Sequence, residues 1–369
     1  MTRLAPRPVP EAVEAPLLPR ADPITRLPIL ILYPHSRCNC RCLMCDIWRS
    51  RTRDEISVED VERFLPEWRR LGVERIVLSG GEALLHSHLW ELCALLREAG
   101  IRLTVLSTGL LLVRDAERLV RVCDDVIVSL DGPPELHDTI RNLPRAYEKL
   151  AAGVAAVRAA DPRVSVSGRC TVQRANFRTL RATVATAHAL GLDRLSFLAA
   201  DVSSEAFNRP GGWDGERVAE IALAAAELPE LAAELAALAA ENAADFASGF
   251  LAESAEKLER RLYRHFAALA GSGDFAPIAC NAPWVSAVVE ADGTVRPCFF
   301  QPPIGTLRDG GSFTDILNSE TAVAWRRNLD VAHDPICRRC VCSLALREAG
   351  LALRENAGLV LREDAETEP

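Results

Sequence analysis

Three cysteines near the start of the chain, Cys38, Cys42 and Cys45, have the spacing C-x3-C-x2-C. They follow an apolar run at residues 29–33 that is typical of a buried strand. Each of the four irons of a 4Fe–4S cubane takes a ligand from outside the cube, usually a thiolate. Because this loop supplies three thiolates, one iron would stay open. The spacing therefore predicts a cluster that can bind a small molecule.

This loop resembles the cluster-binding loop of the radical S-adenosylmethionine (radical SAM) superfamily. The resemblance implies that SAM binds the open iron and is cleaved by one electron to a 5′-deoxyadenosyl radical, which takes hydrogen from a substrate. Met44 stands where the family usually has an aromatic residue, and Cys40 is interpreted as a bystander thiol. The alternatives are a zinc loop or buried free thiols, although zinc loops usually present paired C-x2-C knuckles.

Gly80, Gly81 and Glu82 follow the second predicted strand. They resemble the family's G-G-E-P motif, with Ala83 in place of the proline, and this implies that their backbone and carboxylate hold the amino group of SAM. Two glycines let a backbone come close to a ligand. The alternative is a plain strand-to-helix turn.

Polar residues follow the later strands, and the resemblance implies that they contact SAM. The residues concerned are Ser107, Thr108, Ser129, Asp131, Arg141 and Arg169. Arg141 and Arg169 are candidate partners of the SAM carboxylate, because a guanidinium binds a carboxylate through two hydrogen bonds. For both arginines the alternative is an ion pair with a carboxylate of this chain.

A second set of cysteines lies near the other end of the chain: Cys280, Cys298, Cys337, Cys340 and Cys342. Its opening, C-x12-G-x4-C, resembles that of SPASM and twitch domains, and the later C-x2-C is closer to the twitch form. Four thiolates close all four irons, so we predict an auxiliary 4Fe–4S cluster for electron transfer or for shaping the pocket. Cys342 is surplus or replaces Cys340 as a ligand. The alternative is a structural zinc site.

Alternating strand and helix patterns position these groups. Short apolar runs bounded by turn residues predict strands at 29–34, 75–79, 102–107, 125–130, 164–172 and 194–199. Helical patterns fall near 57–71, 88–99, 115–122, 145–159 and 177–190. Six such units predict an α/β fold with a parallel sheet in a partial, TIM-like (β/α)6 barrel, whose site lies at the carboxyl ends of the strands.

The remaining segments complete the predicted organisation. Residues 284–290 and 294–298 read as the two strands of a hairpin around Asp292 and Gly293, within a small α+β domain, and helices are predicted at 312–328 and 343–361. The predicted domains are a flexible arm (1–28), the barrel (29–210), a helical bridge (211–275), the twitch/SPASM-like domain (276–345) and a C-terminal helix and tail (346–369).

Composition limits the partners and the cellular compartment that we expect for this protein. The net charge of −8 disfavours a nucleic-acid partner, and no apolar run has the length of a membrane span. Twelve cysteines without a signal peptide favour metal binding over disulfides. Since reduced clusters need a reducing interior, we expect a cytoplasmic protein with an electron donor of the flavodoxin or ferredoxin type.

The favoured function is a radical SAM oxidoreductase. A small-molecule substrate such as a sugar, cyclitol or natural product is preferred, because the 28-residue arm is too short for a folded leader-peptide-binding domain. The alternatives are a peptide- or protein-modifying maturase and a non-catalytic iron–sulfur electron carrier. As the weakest candidates for acid–base chemistry on the substrate we name the residues after the sixth strand: Asp201, Glu205, Asn208 and Arg209.

Overall fold

The computed structural model describes residues 17–347. Six strands form a parallel sheet in chain order, as the sequence predicts. They are β1 (Ile29–Leu32), β2 (Arg75–Leu78), β3 (Arg102–Ser107), β4 (Asp125–Ser129), β5 (Ser165–Val172) and β6 (Arg194–Ala199). Most of their residues are buried, which explains why they read as continuous apolar runs. The predicted partial barrel is confirmed.

Six helices cross between or follow these strands: α1 (Val58–Arg70), α2 (Leu89–Glu98), α3 (Leu112–Val122), α4 (Pro134–Arg141), α5 (Ala146–Ala160) and α6 (Leu180–Ala189). Helix α1 begins at a capping box, in which the Asp60 amide donates to Ser57 Oγ and the Ser57 amide donates to the Asp60 carboxylate, both at 3.0 Å. Phe64 and Trp68 of α1 are buried in the main core. Helix α4, which the sequence analysis did not predict, begins at Pro134 and ends beside the cysteine loop.

The helical bridge consists of short helices, confirming the predicted secondary structure of this segment. They are α7 (Gly215–Ile221), α8 (Leu228–Glu241), α9 (Ala243–Ser248), α10 (Ala255–Leu258) and α11 (Arg264–Leu269), with one π-helical turn at Glu259–Tyr263. After α9 the chain runs along β6, where the Leu195 amide donates to the Phe250 carbonyl at 2.8 Å and the Ala252 amide donates to the Leu195 carbonyl at 3.0 Å. This contact covers the open edge of the barrel sheet.

The C-terminal part continues the same sheet. Following α12 (Ala282–Val285), β7 (Ser286–Val289) pairs in parallel with β1, and the antiparallel strands β8 (Thr294–Arg296) and β9 (Gly305–Thr306) follow. The predicted hairpin is confirmed, with Gly293 at φ +92° in its turn. The sheet thus has nine strands, and backbone hydrogen bonds join the C-terminal segment to the first barrel strand.

Three short helices complete the described chain: α13 (Phe313–Leu317), α14 (Glu320–Asn328) and α15 (Pro335–Arg338). Residues 343–347 are not helical, although a helix was predicted at 343–361, and 348–361 lie outside the described residues. In the predicted arm, residues 17–28 contact the core, and the Leu18 amide donates to the Leu346 carbonyl at 2.8 Å. Between residues 17 and 347, no helix has the length and apolarity to cross a membrane.

Candidate active site

The N-terminal cysteines, Cys38, Cys42 and Cys45, line one cavity of about 240 Å³. Seven of the predicted SAM-binding residues line the same cavity: Gly80, Gly81, Ser107, Thr108, Ser129, Arg141 and Arg169. These seven lie on strands β2 to β5, on the loops that follow, or at the end of α4. Parallel strands bring their carboxyl ends to one edge, so residues far apart in the sequence meet here.

The cysteine loop lies against the C-terminal end of α4. The Arg41 amide donates to the Arg141 carbonyl at 3.2 Å, and the Leu43 amide donates to the Ile140 carbonyl at 3.0 Å. These bonds use carbonyls that the end of a helix leaves without partners inside the helix. Helix α4 therefore sets the position of the loop that carries the three thiols.

Cys42 has a different environment from the other two thiols. Arg141 Nη1 donates to Cys42 Sγ at 3.4 Å. A hydrogen bond from the Cys40 thiol, together with the Arg141 charge, lowers the pKa of Cys42 to about 6 despite its burial. Burial raises the pKa of Cys38 and of Cys45 to about 12. Because iron takes the thiolate form, the cluster must displace protons from the latter two thiols when it binds.

Arg141 forms an ion pair with Asp131, and both side chains are buried. The Thr171 amide donates to Asp131 Oδ1 at 2.9 Å. The Asp131 carboxylate is therefore engaged by the chain itself and does not line the cavity, whereas the Arg141 side chain does. A role of Arg141 on the SAM carboxylate stays a prediction.

The glycine loop fits tightly against the cysteine loop. A Cβ atom at Gly81 would lie 2.0 Å from the Arg37 carbonyl oxygen, and one at Gly80, where φ is +91°, would lie 2.6 Å from the Tyr33 ring. The Glu82 amide donates to the same Arg37 carbonyl at 2.9 Å. Only glycine leaves room for this approach, which explains the pair of glycines independently of any ligand.

Glu82 is fully buried and faces away from the cavity. Its carboxylate accepts hydrogen bonds from Ser107 Oγ at 3.0 and 3.1 Å and from the Thr108 amide at 2.8 Å. Burial raises the pKa of Glu82, while hydrogen bonds from Thr108, Leu84 and Ser107 oppose that rise. Glu82 thus links the loop after β2 to the loop after β3. The backbone of the glycine loop is still predicted to contact the SAM amino group.

A second cavity, of about 200 Å³, is lined by the C-terminal cysteines: Cys280, Cys298, Cys337, Cys340 and Cys342. Arg169, Phe299 and Cys342 line both cavities, so the two share a wall. Phe299 also contacts Tyr33, with ring centroids 6.0 Å apart. The two sets of thiols, predicted from separate motifs, therefore face adjoining spaces.

Arg169, on β5, lies at this shared wall. Within residues 17–347, its buried Nε atom has no hydrogen-bond partner. A buried guanidinium nitrogen without a partner is costly, so this side chain has donor capacity left for a ligand. This placement supports the prediction that Arg169 binds an anionic group.

Sequence reasoning missed Glu253, which lines the second cavity beside Ser196 and Arg169. Its Oε2 accepts a hydrogen bond from the Phe197 amide at 3.0 Å, and burial raises the pKa of its carboxyl group. Glu253 lies in the Ala-rich bridge, outside every motif, and no local signal marks it. Only the contact of residues 250–252 with β6 brings it to the cavity.

The candidates after β6 are mostly engaged with each other. Arg209 Nη2 pairs with the Asp201 carboxylate at 2.9 Å, and both side chains are buried. Asn208 donates to the Asp46 carbonyl at 3.0 Å. Of the four, Asp201 alone lines the first cavity, while the carbonyl of Glu205 accepts from the Arg209 amide at 3.3 Å.

Three thiols on one cavity wall beside a glycine loop are a donor set that fits a cubane with an open iron. The family model of the radical SAM superfamily matches residues 32–187, and the SPASM model, an iron–sulfur cluster-binding domain, matches residues 280–341. The chain belongs to the radical SAM superfamily. Its C-terminal cysteines lie in or directly after a SPASM domain, and the cofactors of this radical SAM protein are 4Fe–4S clusters and SAM.

Two curated relatives differ in how much of their length this radical SAM protein spans. An AdoMet-dependent heme synthase of Methanosarcina barkeri is 29% identical over 46% of this chain and 49% of its own length. A PqqA peptide cyclase of Ruegeria pomeroyi is 28% identical over 95% of this chain and 97% of its own. The chain thus spans about half of the first relative and nearly all of the second.

Solved structures share the fold. SuiB of Streptococcus suis bound to S-adenosylmethionine has a TM-score of 0.58 at 14% identity, covering 87% of this chain and 73% of that protein. The anSMEcpe structure with AdoMet and the Cp18Cys peptide has a TM-score of 0.59 at 18% identity, covering 91% and 92%. At these identities the likeness establishes the architecture of this radical SAM protein and nothing finer.

Proposed function

We propose that this chain is a radical SAM oxidoreductase that removes hydrogen from a substrate C–H bond and passes an electron to an auxiliary 4Fe–4S cluster. The observation that carries the proposal is the shared wall between the cavities of the two cysteine sets. When bound, SAM and the catalytic cluster supply an adenosyl radical as the hydrogen acceptor. The chain's own residues position these groups and exclude water from them.

The first cavity provides the binding groups for SAM. Gly80, Gly81, Ser107, Thr108 and Ser129 line it. Because the Ser107 and Thr108 hydroxyls donate to Glu82, their oxygens can only accept from SAM, whereas the glycine backbone and the Ser129 hydroxyl can both donate and accept. The apolar remainder of the wall, including Phe207 and Phe300, can shield a radical from solvent.

The second cavity supplies polar groups for a substrate. Glu253, Arg169 and Ser196 line it, together with the cations Lys257 and Arg261, and the rest of its wall is mostly apolar. Loss of hydrogen and an electron from a substrate also requires that a proton leave, and Glu253 is the carboxylate placed to accept it. The raised pKa of Glu253 suits a group that gains and loses a proton.

Two substrate classes fit this reaction. The match to a PqqA peptide cyclase, which covers 97% of that relative, favours a peptide or protein side chain as the substrate. A small molecule, the class preferred from sequence, is the second candidate. We further propose that a flavodoxin or ferredoxin donates electrons to the clusters and that the protein is cytoplasmic.

The catalytic assignment is tested by anaerobic reconstitution followed by assay of 5′-deoxyadenosine from SAM under a strong reductant. We expect the wild type to cleave SAM and Cys42→Ala to lose cleavage. Cys93→Ala removes a buried thiol of helix α2, away from both cavities, and should cleave normally. Undiminished cleavage by Cys42→Ala would refute the assignment. A cluster spectrum unchanged by SAM would instead favour an electron carrier.

The role of Glu253 is tested with candidate substrates deuterated at single C–H positions. Transfer of deuterium into 5′-deoxyadenosine identifies a substrate of either class. With such a substrate, Glu253→Gln should still form deuterated 5′-deoxyadenosine but should form less oxidised product. Glu256→Gln, at an exposed position three residues further on, is the matched control. Equal product formation by wild type and Glu253→Gln would remove Glu253 from the proposal.

A further inference from the structure

We propose that Arg141 is a positioning residue that sets the reduction potential of the catalytic cluster through Cys42. Arg141 is not itself an iron ligand, since the C-x3-C-x2-C set supplies three thiolates. The inference depends on the cluster, which family membership establishes, and not on the proposed substrate chemistry. It can therefore be tested without any substrate.

A charged side-chain donor lies beside the sulfur of Cys42. Arg141 Nη1 donates to Cys42 Sγ at 3.4 Å, and the Arg141 side chain is buried. Cys45, by comparison, accepts a backbone hydrogen bond from the Ile47 amide at 3.5 Å.

Arg141 is held in place from the opposite side. Its guanidinium pairs with Asp131, which is completely buried and also accepts from the Thr171 amide at 2.9 Å. The Asp131 amide donates to His137 Nδ1 at 3.2 Å, and Asn176 Nδ2 donates to the Asp131 carbonyl at 3.0 Å. Because removing either partner would leave a buried charge unpaired, the arginine stays charged and fixed beside the sulfur.

The direction of the effect follows from electrostatics. Reduction adds one negative charge to the cluster, part of which resides on the cysteine sulfurs. Hydrogen-bond donors and a positive charge next to a ligand sulfur stabilise the reduced form and raise its potential. The Arg141 guanidinium, held beside Cys42 by Asp131, should therefore make the catalytic cluster easier to reduce.

The test removes the ion pair as a unit, with Arg141→Gln and Asp131→Asn combined, so that no charge is left unpaired. The midpoint potential of the reconstituted protein is measured without SAM, by redox titration monitored by electron paramagnetic resonance. We expect the reduction equilibrium to shift at least tenfold toward the oxidised cluster, which is about 59 mV for one electron. The control is the pair Arg75→Gln and Asp125→Asn, which removes another buried ion pair of the same sheet, 2.6 Å between its charged atoms.

Both double variants must retain iron for this comparison, and iron is counted in each. If the Arg141 double variant binds no catalytic cluster while the Arg75 double variant binds it, the pair is a folding determinant of the loop and the tuning role is wrong. The tuning role is also wrong if the Arg141 double variant retains its iron and has an unchanged midpoint potential. An equal shift of the midpoint potential in the Arg75 double variant would contradict it as well.

Discussion

Glu82 and Thr108 are joined by two hydrogen bonds, from the Thr108 amide at 2.8 Å and from its hydroxyl at 2.5 Å, both to Oε2 of the carboxylate. The two residues follow different strands, β2 and β3, and Glu82 is completely buried. A motif residue expected to contact SAM therefore holds two loops of the cavity wall together.

Glu82→Gln should weaken this link. The substitution places an amide nitrogen where one of two acceptor oxygens lies, so a donor would face a donor, at a cost of about 1–3 kcal/mol. We expect a lower free energy of unfolding in denaturant titrations and weaker SAM binding. Glu91→Gln, at an exposed position of α2, should change neither, and equal stability of both variants would contradict this account of Glu82.

Gly81→Ala should prevent assembly of the catalytic cluster. The added Cβ would lie 2.0 Å from the Arg37 carbonyl oxygen, so the cysteine loop must move. We expect the iron content to fall from about eight to about four atoms per chain after reconstitution. Gly215→Ala, with open space around the new methyl group and no positive φ, should keep the full content. A Gly81→Ala protein with full iron and normal SAM cleavage would show that the loops can separate without loss.

Cys340 should bind the auxiliary cluster and Cys342 should not. Cys340 Sγ accepts a hydrogen bond from the Cys342 amide at 3.4 Å, an arrangement that supports a thiolate ligand. Cys342 instead extends along the wall shared by both cavities.

We therefore expect Cys340→Ser to lose about four irons per chain, as Cys298→Ser should, while Cys342→Ser keeps about eight. Iron and sulfide counts measure this directly. Because the N-terminal cysteines line a separate cavity, all three variants should still cleave SAM. Iron loss in Cys342→Ser with none in Cys340→Ser would reverse the assignment.

Glu253 should make the stability of the protein depend on pH. Burial raises the pKa of this carboxyl group in the folded state, so its contribution to stability is full at low pH and is lost as pH rises through the folded-state pKa. Glu253→Gln stays neutral and should become more stable relative to the wild type as pH rises from about 4.5 to 8.

Denaturant unfolding of wild type and Glu253→Gln across this pH range measures the difference. Glu256→Gln should show no such rise, since Glu256 is exposed and its pKa is lowered, mainly by hydrogen bonds to its own backbone amide and to Ser254. A difference between Glu253→Gln and wild type that is constant with pH would mean that folding does not raise the pKa of Glu253.

The strands of the barrel could be predicted from the sequence because each is a short apolar run between turn residues. Predicted strand 102–107 agrees with β3 and predicted strand 194–199 with β6, while β1 ends two residues before the predicted 29–34. Helix α4 escaped prediction because its eight residues, which begin at the second of two prolines, carry too little periodicity. Yet α4 carries Arg141 and receives the cysteine loop.

Short stretches of sequence were enough to predict the cysteine motifs, the glycine loop and the six parallel strand–helix units. Ligand spacing and strand patterns depend only on residues that are close together in the chain. Tertiary structure alone decided that β7 pairs with β1, that Glu253 reaches the cavity through β6, and that Arg141 lies between Asp131 and Cys42. These relationships join segments tens to hundreds of residues apart. They depend on how buried surfaces and charges satisfy one another in three dimensions, which no local pattern of residues specifies.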